Sequence, residues 1–535
     1  MPPINPQRRP MQRPAGAGAA AAKKPKTDPK LSPQQKKKMH ALFVRLNEAV
    51  DSGYASEALK KLAELESRFP NNLNVHMITG RANSQLARHA EAIAAFKKAV
   101  DISPNEPEII FHYAVALHKG GEYEEALLQF ERVLYLNPEH FNALRNKSAL
   151  LTDLGRVEDG YRIWCEIGEK FPDDQIDDNK RMGIAITGAR FAPKLLDAQE
   201  AIDKIEGSIL STDDNPFRKA GYYQLGRLQH HLKNYDKAFD AYTACKEVEI
   251  EDENWDPEEH SVRIDKLIDC WRTDVPIPFS KAKGVDGSRL IFIVGMMRSG
   301  TSLTEQMLAQ VKEIVPGGEM NEVSRSLPRE DKVTMRHAQR YPLMRELYTQ
   351  GRINRMSKQA MAGYNNVHRH YTITDKQPFN YAYVPLIAHM FPGCKIIHCK
   401  RDPLDCCLSN FTQAFARLHL QTHNLFWLGR FFADYERTML AWHEVPEVDM
   451  IDLQYEELVS DPENQSKRVM EFLGREWTDE ILEFHKSKRT VNTASRDQVR
   501  KPLYTSSVKK YTPYEHRLDE LKRGIEEGRA RPHGG

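Results

Sequence analysis

Residues 290–308 read LIFIVGMMRSGTSLTEQML, and the fold of the second half of the chain turns on this stretch. Leu290 to Val294 is an unbroken apolar run rich in β-branched residues, as a strand buried on both faces requires. It leads into Gly295-Met-Met-Arg298-Ser299-Gly300-Thr301-Ser302, after which Leu303, Met307 and Leu308 follow helical spacing. Strand, glycine loop and helix in that order form a cradle for phosphate. The loop N–H groups and the positive end of the helix dipole attract an anion, and Gly295 and Gly300 let the backbone close around it. The loop departs from the triphosphatase pattern G-x-x-x-x-G-K-[ST], because Thr301 occupies the lysine position and the cation sits inside the loop as Arg298.

A chain of 535 residues has room for two or more cores. Its 40% hydrophobic and 28% charged content, with a mean hydropathy of −0.62, is that of a water-soluble globular protein. No apolar run approaches bilayer length and the N-terminus has no apolar signal core, so a cytoplasmic protein that makes no membrane contact is expected. The seven cysteines are irregularly spaced, adjacent Cys406 and Cys407 do not have zinc spacing, and reduced, mostly buried thiols are expected. Residues 1–38 carry ten Lys or Arg and one acid, a net +9 that leaves −7 for the remainder. Rich in Pro and Ala, residues 1–36 are expected to be a disordered basic arm whose simplest role is solvation rather than nucleic-acid binding.

Pro70, Pro104, Pro138 and Pro172 recur every 34 residues. On that period Ala58, Ala92, Ala126 and Gly160 share a small-residue position, and Leu62, Phe96, Phe130 and Trp164 share a bulky one four residues on. A further unit, Gly221 to Gly226 and Asn234 to Tyr242, follows a less regular stretch from Asp173 to Asn215. The period implies stacked helical hairpins, each burying an apolar face on its neighbours. These residues, over about 37–250, resemble the tetratricopeptide repeat family, which implies a superhelix with a concave peptide-binding groove. A solenoid that only spaces or dimerises the catalytic half is the alternative.

Residues 251–287 read as a linker. From Leu290 onward short strand-like runs (Tyr371 to Thr374, Lys395 to Cys399, Asp449 to Leu453) alternate with amphipathic stretches, the rhythm of a parallel sheet covered on both faces. Ligands of such sheets gather at the carboxyl ends of the strands. After the run Lys395 to Cys399, Asp402 can cap and Pro403 open a helix, leaving Arg401 at the strand end and Ser409 within two turns, a fork and a hydroxyl suited to a second phosphate. Glu319, in Pro316-Gly-Gly-Glu319, can act as a general base; Glu322 and His337 are alternatives. Lys376, ahead of Pro378, is placed to project into the crevice.

Together the glycine loop and the Arg401/Ser409 pair resemble the sulfotransferase family, most closely its tyrosylprotein sulfotransferase-like group. The resemblance covers about 288–512 and implies a three-layer α/β domain that uses 3′-phosphoadenosine 5′-phosphosulfate (PAPS). It implies that Gly295, Arg298, Ser299, Gly300, Thr301 and Ser302 hold the 5′-phosphosulfate, and that Arg401 and Ser409 hold the 3′-phosphate. It further implies that Glu319 is the base, that Lys376 contacts the transferring group, and that Tyr455 touches the nucleotide. Ser495 and Gln498 would lie over the adenosine, and Lys509 would add a 3′-phosphate contact. Residues 513–535 read as a C-terminal tail. The expected reaction moves a sulfuryl group to a hydroxyl of a protein, peptide, glycan or small alcohol, with no metal. The rivals are a P-loop kinase or NTPase and an inactive repeat scaffold.

Overall fold

The structure, a computed structural model, describes residues 28–29, 31–86, 88–211, 215–248, 255–271, 277–327, 348–415, 419–486 and 507–532. Most of the basic arm, His337, Ser495 and Gln498 lie outside the described residues. The chain forms two compact units, Met1–Leu150 and Leu151–Gly535.

The first unit is a stack of antiparallel helices: Pro33–Asp51, Ala55–Arg68, Leu73–Gln85, His89–Ile102, Pro107–Gly120, Tyr123–Leu136 and the start of Phe141–Asp153. The first begins inside the expected arm, because Ser32 and Gln35 form a reciprocal capping box and Pro33 sits in the first turn. Asn72 caps the third through Val75 N–H, and Gly121, at a φ of 86°, closes the fifth in the left-handed conformation. The periodic positions are the core: Ala58, Ala92 and Ala126 are buried, as are Leu62, Phe96 and Phe130. The small residues let the large ones in, since a Cβ on Gly80 would stand 2.7 Å from the Phe96 ring. Each buried aromatic or leucine stabilises by about 1.5–3 kcal/mol, and an isolated hairpin could bury few of them.

The second unit continues the helical pairs and adds the sheet. Asn215–His231 and Tyr235–Glu247 pack as one more hairpin, with Gly226 under the Tyr242 ring. The sheet has five parallel strands, β1 (Leu290–Gly295), β2 (Ile314–Pro316), β3 (Thr372–Asp375), β4 (Lys395–Lys400) and β5 (Met450–Gln454), ordered β2-β3-β1-β4-β5. Alternate β1 residues serve two cores. Leu290, Phe292 and Val294 face one with Ile373 and Trp442; Ile291 and Ile293 face the other with Leu303, Met307 and Leu308 of the helix Thr301–Leu308. The edge strand β2 has only three residues, too few to show a periodic signal.

Two segments differ from the sequence reading. The expected linker contains the helix Pro257–Asp269, whose His260 Nδ1 lies 2.7 Å and Ser261 Oγ 2.8 Å from Asp434 Oδ2 of the helix Leu425–His443. The expected tail contains the helix Asp519–Ala530, which meets Leu425–His443 backbone to backbone: a Cβ on Gly429 would be 2.5 Å from Leu521 O, and one on Gly524 2.3 Å from Phe426 O. Both helices are short and highly charged, so sequence pattern hides them, and tertiary burial of Leu521, Ile525 and Ile264 stabilises them. Among the described residues no helix is long and apolar enough to cross a membrane. All seven cysteines are free, five of them buried, and burial pushes Cys399 and Cys406 up to about 12.

Candidate active site

Every strand delivers a candidate residue at its carboxyl end: β1 the glycine loop, β2 Glu319, β3 Lys376, β4 Arg401 and β5 Tyr455. This is the crevice position that parallel sheets reserve for ligands.

The loop geometry needs its glycines. Gly295 has a φ of 155°, and a Cβ there would be 2.5 Å from Cys399 O and 2.7 Å from Ser299 Oγ. Gly300 has a φ of 107° and caps the helix Thr301–Leu308 with its empty face against the Tyr455 ring, where a Cβ would be 2.8 Å from Cδ2. Between them Arg298 adopts a φ of 67°, a left-handed conformation that costs a non-glycine residue about 1–3 kcal/mol. Its strain is offset by anchors. Met297 O accepts from Asn410 Nδ2 at 2.8 Å, and Arg298 O accepts from Arg401 Nη1 at 3.0 Å. Arg298 Nε donates to Ser409 Oγ at 3.0 Å, so the arginine expected at the 5′ end and the serine expected at the 3′ end are linked. Asp402 caps the helix Pro403–Phe411 through Asp405 N–H, with Pro403 in its first turn, and this places Ser409.

Arg401 is held in three ways: by Arg298 O, by Ser507 O at 2.7 Å from Nη2, and by the Tyr455 face 4.7 Å away. Lys509 is exposed, with a φ of 55°, and its N–H donates to Asp405 Oδ2 at 2.6 Å. Tyr511 N–H donates to the other Asp405 oxygen at 3.0 Å, which staples the 509–511 segment to the Ser409 helix. Burial raises the Asp405 carboxyl against these bonds. Lys510, its neighbour, was not singled out by sequence. Although the residue is exposed, desolvation of its ammonium, then the guanidiniums of Arg298 and Arg401, holds its pKa below the ordinary lysine value. Arg298 and Arg401 thus meet at the loop, with the exposed Lys509 and Lys510 on the segment beside them.

Two buried polar atoms at this spot, Ser299 Oγ and Arg401 Nε, have no hydrogen-bond partner among the described residues. Buried polar groups are nearly always satisfied, so both atoms are available to hydrogen-bond a ligand at the loop. Two arginines, orphaned polar atoms and a glycine loop at a helix N-terminus fit a ligand with phosphate groups.

Beside the cradle, Lys376 Nζ donates to Glu319 Oε1 at 2.8 Å. Lys376 is 1% exposed while the Glu319 side chain is 47% exposed, so the pair sits at a mouth with the ammonium inside. Gly318 (φ 69°) sets the turn, and its carbonyl accepts from Lys376 N–H at 2.8 Å. Asp375 is buried under the lysine, accepts from Tyr364 O–H at 2.6 Å, and is raised to about 7 by burial. Glu322 begins the next helix and faces Arg325 rather than Lys376.

Behind β4 and β5, the register pair His398 and Asp452 is bonded at 2.8 Å, with His443 Nε2 3.0 Å from the same carboxylate and Lys400 Nζ 3.2 Å from its other oxygen. Burial alone would raise Asp452, but these partners hold it well below the usual carboxylate range.

Residues 290–479 match the model of the sulfotransferase family, and residues 43–107, 84–151 and 220–249 match tetratricopeptide repeat models. An uncharacterized protein of Aquifex aeolicus (strain VF5) is 31% identical over 404 residues, 73% of this chain, which spans about half (51%) of that relative's length. Protein-tyrosine sulfotransferase A of Caenorhabditis elegans is 26% identical over 267 residues, covering 44% of this chain and 67% of that protein. Among solved structures, the sulfotransferase domain of the Synechococcus PCC 7002 olefin synthase aligns at 18% identity over 46% of this chain and 97% of that domain, with a TM-score of 0.33. The chain therefore carries tetratricopeptide repeats followed by a C-terminal domain of the sulfotransferase family.

Proposed function

We propose that this domain catalyses in-line transfer of a sulfuryl group from PAPS to an acceptor hydroxyl, and that the repeats bind the acceptor or a partner protein. The observation that carries the reading is the meeting of Arg298 and Arg401 at a glycine loop with an orphaned buried hydroxyl, next to a carboxylate–ammonium pair. PAPS supplies the sulfuryl group, with adenosine 3′,5′-bisphosphate as leaving group. The loop N–H groups from Gly295 to Ser302 and Arg298 bind the 5′ end; Arg401 and Ser409, joined by Lys509 or Lys510, bind the 3′-phosphate; Tyr455 packs on the nucleotide. Ser495 and Gln498 are assigned to the adenosine. Glu319 takes the proton of the acceptor hydroxyl as its oxygen bonds to sulfur, and Lys376 neutralises charge on the oxygen that departs. The scheme calls for no metal, because a sulfuryl group carries less charge than a terminal phosphoryl.

A protein or peptide acceptor is supported by the repeats. In the first unit a cleft of about 270 Å³ is lined by Val50, Arg81, Phe96, His112, Val115 and Lys119. Remote binding there would hold an acceptor by groups other than its reacting hydroxyl.

Titration of the whole chain with adenosine 3′,5′-bisphosphate and with ATP tests the nucleotide. The bisphosphate is expected to bind and raise the thermal midpoint; tight ATP binding with no bisphosphate binding would favour a kinase or NTPase. Incubation with sulfur-labelled PAPS and a fractionated lysate then identifies the acceptor class by which fraction takes up label.

A further inference from the structure

Glu305 is a buried acid that the proposed chemistry does not use, and it lies on the helix Thr301–Leu308 directly behind the glycine loop. Its Oε1 accepts two hydrogen bonds, from Gly318 N–H at 2.9 Å and from Thr374 Oγ1 at 2.9 Å. Gly318 is the residue before Glu319, and Thr374 lies two residues before Lys376. The same turn is closed by Gly317 N–H to Thr374 O at 2.9 Å and by Lys376 N–H to Gly318 O at 2.8 Å. One carboxylate therefore ties together the helix that follows the loop, the turn that carries Glu319 and the strand end that carries Lys376. Removing it would leave a part-buried N–H and a buried hydroxyl without this acceptor, beneath a turn whose Gly318 already holds a positive φ.

We propose that Glu305 is a positioning residue that sets Glu319 against Lys376 and couples that pair to the glycine loop. The inference rests on the roles proposed above for Glu319 and Lys376, but its geometry can be read without turnover. A misplacement of the order of an ångström at a reacting pair is enough to cost about 100-fold in rate.

The test compares the whole chain with Glu305→Leu and Glu305→Gln. Each is assayed for the rate at which an amine-reactive reagent labels Lys376, for hydrogen exchange at the Gly318 amide, and for kcat and KM with PAPS. Leucine removes the acceptor; glutamine keeps an oxygen in its place. Glu305→Leu is expected to raise Lys376 labelling and Gly318 exchange about tenfold or more and to lower kcat 10- to 100-fold, with KM for PAPS changed less than about threefold. Glu305→Gln is expected to stay within about threefold of the parent on every measure. Parent-like labelling and exchange in Glu305→Leu would overturn the proposal. So would equal damage from both substitutions to labelling, KM and thermal midpoint, which is the signature of a merely structural acid. If the parent chain fails to bind the bisphosphate or turn over PAPS, the functional reading fails, while labelling and exchange still decide the role of Glu305.

Discussion

The Glu319–Lys376 pair is the most consequential residue-scale feature, because it places a half-exposed carboxylate on a lysine that solvent scarcely reaches. Glu319→Ala is expected to lower kcat by about 100-fold or more while bisphosphate affinity stays within about threefold, as judged by steady-state kinetics and calorimetry. Retention of full turnover would show that the base is another group. Beneath the lysine, Asp375 predicts a pH signature. Its carboxyl is raised to about 7 in the folded chain, so between the unfolded carboxylate range and neutrality the folded state holds a proton that the unfolded state has released. The stability tied to that proton is fully present at acid pH and is lost as pH rises through about 7. Asp375→Asn, which can still accept from Tyr364, should therefore raise the thermal midpoint more at pH 8 than at pH 5. An equal shift at both pH values would contradict the buried-acid assignment. Glu319, Lys376, Arg401 and Ser409 were candidates in sequence through the family resemblance, and Lys376 and Arg401 directly follow strand ends. Asp405 and Glu305 were not, since their partners are backbone amides that reach them only after folding.

At the scale of elements, the strand–loop–helix unit works because two glycines occupy places that no side chain can. Gly300→Ala would put a Cβ into the Tyr455 ring at a strained φ, and is expected to weaken bisphosphate binding about tenfold or more. Gly168, in the last turn of the helix Val157–Lys170, has nothing within 4 Å of an added Cβ. Gly168→Ala should instead stabilise by about 0.5–1 kcal/mol and leave nucleotide binding alone, so the two changes predict opposite signs in one thermal-shift and calorimetry series. The strands β1, β3, β4 and β5 lay within a residue or two of their expected places, because each is a continuous apolar or β-branched run. The strand β2 and the helices Pro257–Asp269 and Asp519–Ala530 escaped detection, one being too short for a period and two being covered in charge.

In the molecule as a whole, the last repeat helices and the sheet share one core. Ala238, Phe239 and Tyr242 pack in the same cluster as Tyr381, Trp442 and Leu521, and Tyr514 O–H lies 2.6 Å from His230 Nδ1. Lys246 reaches Gln413 O at 2.8 Å, and Arg517 pairs with Asp240 at 2.6 Å while lying over the Phe239 ring. A chain of residues 151–535 is therefore expected to unfold cooperatively and bind the bisphosphate within about threefold of the full chain. A chain of residues 251–535, although it keeps the entire sulfotransferase-family match, is expected to lose cooperative unfolding and binding. If the shorter chain folded and bound normally, the shared core would be dispensable.

By itself the sequence determined the element types and the chemistry on offer, because a 34-residue period, apolar runs and glycines beside cations are local consequences of side-chain size and backbone freedom. It could not determine where the compact units divide, nor which acids brace the candidate site residues. Those depend on contacts between residues more than a hundred positions apart, such as Arg298 with Ser409 and His230 with Tyr514, and only the packed tertiary structure brings such groups within hydrogen-bond reach.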